Sequence, residues 1–530
     1  MQVDSAGVLH LKKLSKAGIT HVHLLPTFQF AAVDDEKENW KYVANLFNTN
    51  SIADSKILEK LPPDSAEQQE KITAIQDDDA YNWGYNPVLW GVPKGSYSSD
   101  PNGPCRIVEF RKMIQALTHI GLRVVLDVVY NHLHANGPFD KDSVLDKIVP
   151  GYYLRRNTDG FIENSTCVNN TASEHYMVER LIVDDLLSWA INYKVDGFRF
   201  DLMGHIMKRT MPNGHDHGTK DVEKAMLASA KDHIQCDYNY YKISMVKEWG
   251  YSDPVMETLD LDRDQKFSVD QIHVNYVSAH DNETLFDIIS LKTPVGISVE
   301  DRCRMNHFAT SIIAPTQGIP FFHAGDEMLR SKSLDRDSYN SGDWFNRIQP
   351  RLADPSFKPQ RSHILAAVEN FTDVLRIRYS SPLFRLRTAN AIQERVRFHN
   401  TGPSCVPGFI VMSIEDGNEG IPGLSQLDPV FSYIVVVFNA CPTEESFSSP
   451  TLRGRTLQLH PIQVSSTDET VKKSSYEAST GCFTVPARTT SVFVEPRKKL
   501  YHIIWVILGC LLYCEGNEAN SIRIGKDFGV

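Results

Sequence analysis

Five short apolar runs punctuate the first two thirds of the chain, each ending in polar or ionisable residues. They are THVHLLP (20–26), LRVVLDVVYNH (122–132), VDGFRFD (195–201), NYVSAHD (275–281) and GIPFFHAGDE (318–327). Apolar runs of this length, bounded by turn signals, suit strands buried in a parallel sheet. Between them the hydrophobic period lengthens. CRIVEFRKMIQALTHIG (105–121) predicts a helix that stops at Gly121, and HYMVERLIVDDLLSWAINY (175–193) predicts another. The opening stretch reads as an amphipathic helix followed by a buried strand, as if the chain began inside a domain. Strands alternating with helices predict a parallel α/β sheet or barrel.

From about residue 385 the pattern changes to short β-type runs between turn residues: RVRFHN, GFIVMSI, SYIVVVFNA, CFTVPA and TSVFVEP. These predict an all-β sandwich. The expected organisation is an α/β barrel region over 1–384, a sandwich over 385–497 and an atypical tail over 498–530. The tail holds an apolar run from Ile503 to Cys514, clearly shorter than the roughly 20 residues a spanning helix needs, so no membrane partner is expected.

Composition narrows the classes. The 530 residues are 42% hydrophobic and 23% charged, ordinary for a globular protein. A net charge of -11 argues against a nucleic-acid partner and is compatible with a neutral substrate. Nine scattered cysteines without a CxxC pair suggest thiols in a reducing compartment rather than a disulfide framework. No secretory signal opens the chain, so the glycosylation patterns at Asn164 and Asn169 carry little weight. His215, Asp216 and His217 are adjacent rather than spaced to converge, so they do not define a metal site, and metal ligands stay unknown.

The candidate chemistry lies at the strand ends. Arg199 and Asp201 are two apart on a predicted strand and so share a face. Alone, such a pair reads as a local salt bridge. Yet His132, Asp201, His280 with Asp281, and Asp326 with Glu327 all fall at the C-terminal ends of predicted strands, where (β/α)₈ barrels build active sites. One shared site accounts for all of them together.

Four motifs in order resemble the α-amylase superfamily of glycoside hydrolases: YNWGYNP (81–87), DVVYNH (127–132), GFRFDLMGH (197–205) and YVSAHDNETL (276–285). The first and third resemble its debranching branch, the pullulanase and limit-dextrinase type. The resemblance covers about residues 5–497. It implies a (β/α)₈ TIM-type barrel followed by a β-sandwich. It also implies retaining hydrolysis of α-1,6 branch points in limit dextrin, amylopectin or pullulan. By the same resemblance Asp201 is the nucleophile, Arg199 the cation that keeps it ionised, and Asp281 the aspartate that stabilises the transition state. His132 and His280 would bind sugar hydroxyls, and Tyr85, with Trp83 nearby, would form the aromatic platform. The partner implied is a branched α-glucan. No cofactor is required, although a structural calcium is compatible, and the location implied is a plastid, without a transit peptide in this chain. The oligomeric state is not readable.

The chain also departs from the family pattern. THVHLLP resembles the second barrel strand, so the first strand is expected to be absent. The family's acid/base glutamate motif is not found, and the interval between Asp201 and Asp281, which should hold two strands, is short. VKEWG offers Glu248 as a weak substitute; a solvated glutamate is the plainer reading. The expectation is an incomplete barrel with an altered fifth-strand region. The alternative function is a non-catalytic glucan-binding or regulatory protein.

Overall fold

The computed structural model describes residues 5–41, 67–164, 167–207, 274–346, 357–401, 405–418 and 422–497. Two compact units result: Met1–Tyr379 with Leu386–Ala391, and Ser380–Arg385 with Ile392–Val530. Glu248, the 215–217 triplet, most of the interval before Asp281 and the 498–530 tail lie outside the described residues.

The strands of the first unit are β1 (His21–Leu24), β2 (Phe28–Phe30), β3 (Pro87–Pro93), β4 (Arg123–Val128), β5 (Gly197–Phe200), β6 (Val274–Asn275) and β7 (Ile319–Pro320). Its longer helices are α1 (Ala6–Ala17), α2 (Cys105–His119), α3 (Tyr176–Ile191), α4 (Leu285–Lys292), α5 (Val299–Ile313) and α6 (Arg361–Ser380). Strands β1, β4 and β5 form one parallel sheet in the order β1-β4-β5, and β6 pairs β7 in parallel. β2 and β3 form a separate antiparallel pair.

Strand β4 is the spine of this unit. Its valines are stiff at χ1 and suit extended backbone, and Val124, Val125, Leu126 and Val128 are all buried. Helices pack around it by periodicity. On α2, Phe110, Ile114 and Leu117 recur on one face; on α3, Val178, Ile182 and Leu186 do the same. All six join β4 and Phe198 in one hydrophobic cluster.

Some strand expectations change. β1 is not fully buried: His21 is exposed and Val22 to Leu24 are half-buried. Among the described residues it pairs on one side only, with β4. β6 and β7 are two residues each and half-buried. The helix after β6 is capped by Thr284, whose hydroxyl accepts from Asp287 N–H.

The second unit contains β8 (Val396–Phe398), β9 (Phe409–Glu415), β10 (Phe431–Asn439), β11 (Glu445–Ser448), β12 (Gln458–Leu459), β13 (Ser475–Glu477), β14 (Cys482–Val485) and β15 (Thr489–Pro496). One sheet runs β12-β15-β10-β9-β8 and the other β11-β14-β13. Val411, Val435, Val437, Phe483, Val485 and Phe493 gather into a shared core. Ile434 and Val436, which point the other way on β10, are buried too, which explains the unbroken apolar run SYIVVVFNA. Among the described residues no helix is long and apolar enough to cross a membrane. The six described cysteines are free thiols.

Candidate active site

The site begins with the pairing of two strands. In the β4–β5 register Asp127 stands opposite Arg199. Neighbours across a parallel pair share a face, and Asp201, two residues past Arg199, returns to that face. Arg199 Nη1 lies 3.0 Å from both Asp127 oxygens and 3.0 Å from Asp201 Oδ1. That nitrogen carries two protons, so the three oxygens share them. Asn131, in the loop after β4, donates to the Asp201 carbonyl at 2.8 Å and to Oδ2 at 3.2 Å.

The loop before β3 supplies the aromatics. Asn82 Oδ1 accepts from Gly84 N–H at 2.9 Å, closing a tight turn. Gly84 has φ +95°, and a Cβ there would meet the Phe30 ring at 2.9 Å, so only glycine fits. The turn projects Trp83 and Tyr85 towards His280. Tyr85 stacks on His280 with 5.4 Å between centroids and 7° between planes, and Trp83 meets the same ring edge-on at 4.8 Å. The Tyr85 hydroxyl donates to Asp127 Oδ2 at 2.7 Å and lies 2.9 Å from His280 Nε2. His280 Nε2 is 3.2 Å from Asp281 Oδ1, and the Asp281 side chain is 65% exposed.

A continuous path therefore runs Asp201–Arg199–Asp127–Tyr85–His280–Asp281, with Trp83 against it. His132 joins differently. It is 1% exposed, its Nε2 lies 2.9 Å from the Tyr85 carbonyl, and its Nδ1 contacts Asn131 Oδ1. Expected as a sugar ligand, it lies buried with a protein oxygen beside each ring nitrogen, and burial favours the neutral ring, which donates to one of them. In this geometry it braces the Tyr85 loop against Asn131.

The electrostatics divide the aspartates. Burial opposes ionisation of Asp127, but Arg199 and then His23 outweigh it and hold the group down to about 2. His23, on β1, places Nε2 at 3.6 Å from Asp127 Oδ2. Arg199 was expected to keep Asp201 ionised. Arg199 does pull Asp201 toward its ionised form, but burial is the larger cause and, with the neighbouring Asp127 charge adding to the rise, brings it up to about 6. Burial lowers His280, against the pull of Asp281 and Asp127. All carboxylates that the described residues place in this cluster are aspartates.

Asp127, Asn131 and His23 were not singled out from the sequence. Asp127 and Asn131 lie inside DVVYNH, but the pairing of Asp127 with Arg199 depends on the β4–β5 register. Asp326 and Glu327, grouped with the site by their strand-end position, serve structure. Asp326 accepts from Ser278 Oγ at 2.7 Å, and Glu327 pairs with His10 of α1 at 2.8 Å. Among the described residues no group of three His, Cys, Asp or Glu side chains could hold a metal ion.

Residues 334–496 match the family model "Alpha-1,6-glucosidases, pullulanase-type, C-terminal". The chain is 56% identical to the chloroplastic pullulanase 1 of Arabidopsis thaliana, covering 93% of this chain and 62% of that protein. It is 32% identical to the Klebsiella pneumoniae pullulanase, covering 93% of this chain and 56% of that one. The chain thus spans about three fifths of these relatives. A solved maltotriose complex of a K. pneumoniae pullulanase variant superposes with a TM-score of 0.78 at 30% identity, covering 94% of this chain and 67% of that one. The fold of that relative, an α-amylase-type barrel with a β domain after it, is the fold of this molecule at that level. The chain belongs to the pullulanase family of α-1,6-glucosidases.

Proposed function

We propose that this protein is a starch-debranching glycoside hydrolase that cleaves α-1,6 linkages in branched α-glucans such as limit dextrin, amylopectin or pullulan by a retaining mechanism. The observation that carries the reading is the unbroken path from Asp201 through Arg199, Asp127, Tyr85 and His280 to Asp281. A buried carboxylate, an exposed one and two aromatic side chains joined in one network suit an oxocarbenium-like transition state. Asp201 attacks the anomeric carbon, the glycosidic C–O bond breaks, and the departing oxygen takes a proton from a general acid. Water then releases the sugar and regenerates Asp201. Asp281 and His280 hold hydroxyls of the cleaved glucose, which rests on Tyr85. Arg199 orients Asp201 and offsets part of its burial. These steps call on no cofactor, and a structural calcium would be outside them.

We place the parallel strands in one (β/α)₈ barrel whose fifth-strand region is altered, and the protein in a plastid by analogy with its chloroplastic relative. A second reading, a glucan-binding protein that no longer turns over, is favoured by one observation. The carboxylates that the described residues place in the cluster are Asp127, Asp201 and Asp281, with no glutamate among them, and a general acid contributes typically 10² to 10⁴-fold in rate. Reducing-end release from pullulan and β-limit dextrin separates the two. Release that vanishes in Asp201→Asn supports the hydrolase. Maltotriose binding without release supports the binding protein, and neither binding nor release overturns both.

A further inference from the structure

We infer that Lys332 is a positioning residue of the glucan site, clamping Trp83 and His280 from the loop after β7. The inference rests on the function proposed above.

Lys332 is 1% exposed although it carries an ammonium. Its Nζ donates to the His280 carbonyl at 3.0 Å and lies 5.3 Å from the Trp83 ring centroid. Its own N–H donates to Asp287 Oδ2 at 2.7 Å. Asp287 is fully buried on α4 and also receives the Ser331 hydroxyl. Thr284, the cap of α4, donates to the Arg330 carbonyl at 2.7 Å. The 330–332 segment is therefore pinned to the start of α4, and Lys332 extends from that anchor to two other loops. One carries His280 and Asp281 after β6; the other carries Trp83 before β3.

A cation so deeply placed is unfavourable unless it makes contacts that a neutral chain cannot. Here it makes two: a charge-assisted bond to a carbonyl and a cation over an indole face. Both contacts fix groups that touch each other, since the Trp83 and His280 rings meet at 4.8 Å. Loss of the ammonium loosens that corner as a unit. The charged and titratable groups around Lys332 are Arg330, Asp335, Asp287, Asp281 and His323. Burial, with Arg330 adding to it, brings the ammonium down to about 8.

The full chain provides the test. The Trp83 emission is obtained as wild type minus Trp83→Phe and followed across the pH range around 8. We expect a transition with a midpoint near 8 in the wild type and none in the same difference taken on a Lys332→Met background. Lys332→Gln serves as the second neutral variant should the methionine form fail to fold. A flat wild-type titration, or a midpoint that survives in the neutral variants, overturns the inference. Calorimetry with maltotriose at pH 6.5 adds the functional readout. The neutral variants should bind about tenfold more weakly, and Lys332→Arg within about threefold of wild type. Unchanged affinity in the neutral variants overturns positioning. A wild type that binds no maltotriose overturns the glucan reading instead, and the emission titration still decides Lys332.

Discussion

Each unit of the molecule buries a cluster of arginine and aspartate, and the two are built with opposite charge balance. In the second unit one carboxylate serves two cations. Asp416 accepts from Arg395 Nη1 at 2.9 Å and from Arg497 Nη2 at 2.6 Å. The backbone N–H groups of Leu427 and Asp428 each reach it at 2.9 Å. Its side chain is 0% exposed, and every oxygen is satisfied by a donor. In the first unit one arginine serves two carboxylates, and one of them, Asp201, is pushed up to about 6. Identical residue types thus give a clamp where donors are in excess and a carboxylate with a raised pKa where carboxylates are in excess. A salt-bridge clamp and the proposed active site are distinguished here by stoichiometry, not by composition.

The largest expected effect tests the reactive side. Asp201→Asn should lower reducing-end release from pullulan by about 10⁴-fold or more, the scale seen when a hydrolase loses its nucleophile. Its stability at neutral pH should stay within about 1 kcal/mol of wild type or rise, because an unfavourable buried charge is removed. Near-wild-type turnover by that variant would erase the distinction drawn above. The converse substitution tests the clamp. Asp416→Asn removes the only charge that, among the described residues, compensates the buried Arg395 and the half-buried Arg497 in this cluster and should destabilise the second unit by about 3–5 kcal/mol. Urea unfolding read by a probe in that unit measures it, and a loss under about 1 kcal/mol would mean that the cluster is not a clamp.

The same contrast shows what could be read from the sequence. Arg199 and Asp201 were legible because strand parity is a local rule, and VDGFRFD states it in seven letters. Asp127 was not singled out, although it sits in a quoted motif. Its partner is fixed by the register between β4 and β5, which neither run contains alone. His23 was hidden for the same reason, since it acts across β1 and β4. Asp326 and Glu327 were misgrouped because a strand end is also where Ser278 and the helix residue His10 find them. In the second unit, long apolar runs announced β9, β10 and β15, whereas β11, β12 and β13, two to four residues each, are too short to show a period. The roles assigned by resemblance gathered residues 83 to 281 around one corner. That resemblance did not foresee that His132 lies buried with protein oxygens beside both ring nitrogens.

The smallest expected effect divides the first cluster itself. A free aspartate titrates near pH 3.9. Asp127, held at about 2, is stabilising when ionised; that contribution is present above about 3.9 and disappears as pH falls through 2. Asp201 has the opposite sign. Between about 3.9 and 6 the folded form binds the extra proton, so ionising Asp201 weakens the fold as pH rises, by on the order of 2–3 kcal/mol in all. Urea unfolding of wild type and Asp201→Asn from pH 4 to 7 reads this contribution, because carboxylates remote from the cluster cancel in the difference and Asp127, held at about 2, stays ionised across the window. The asparagine variant should gain on wild type steadily across that window and level off above pH 6. Parallel curves would mean that Asp201 titrates like an exposed side chain. The site would then keep no strained carboxylate, and the contrast with Asp416 would reduce to a difference in hydrogen-bond number.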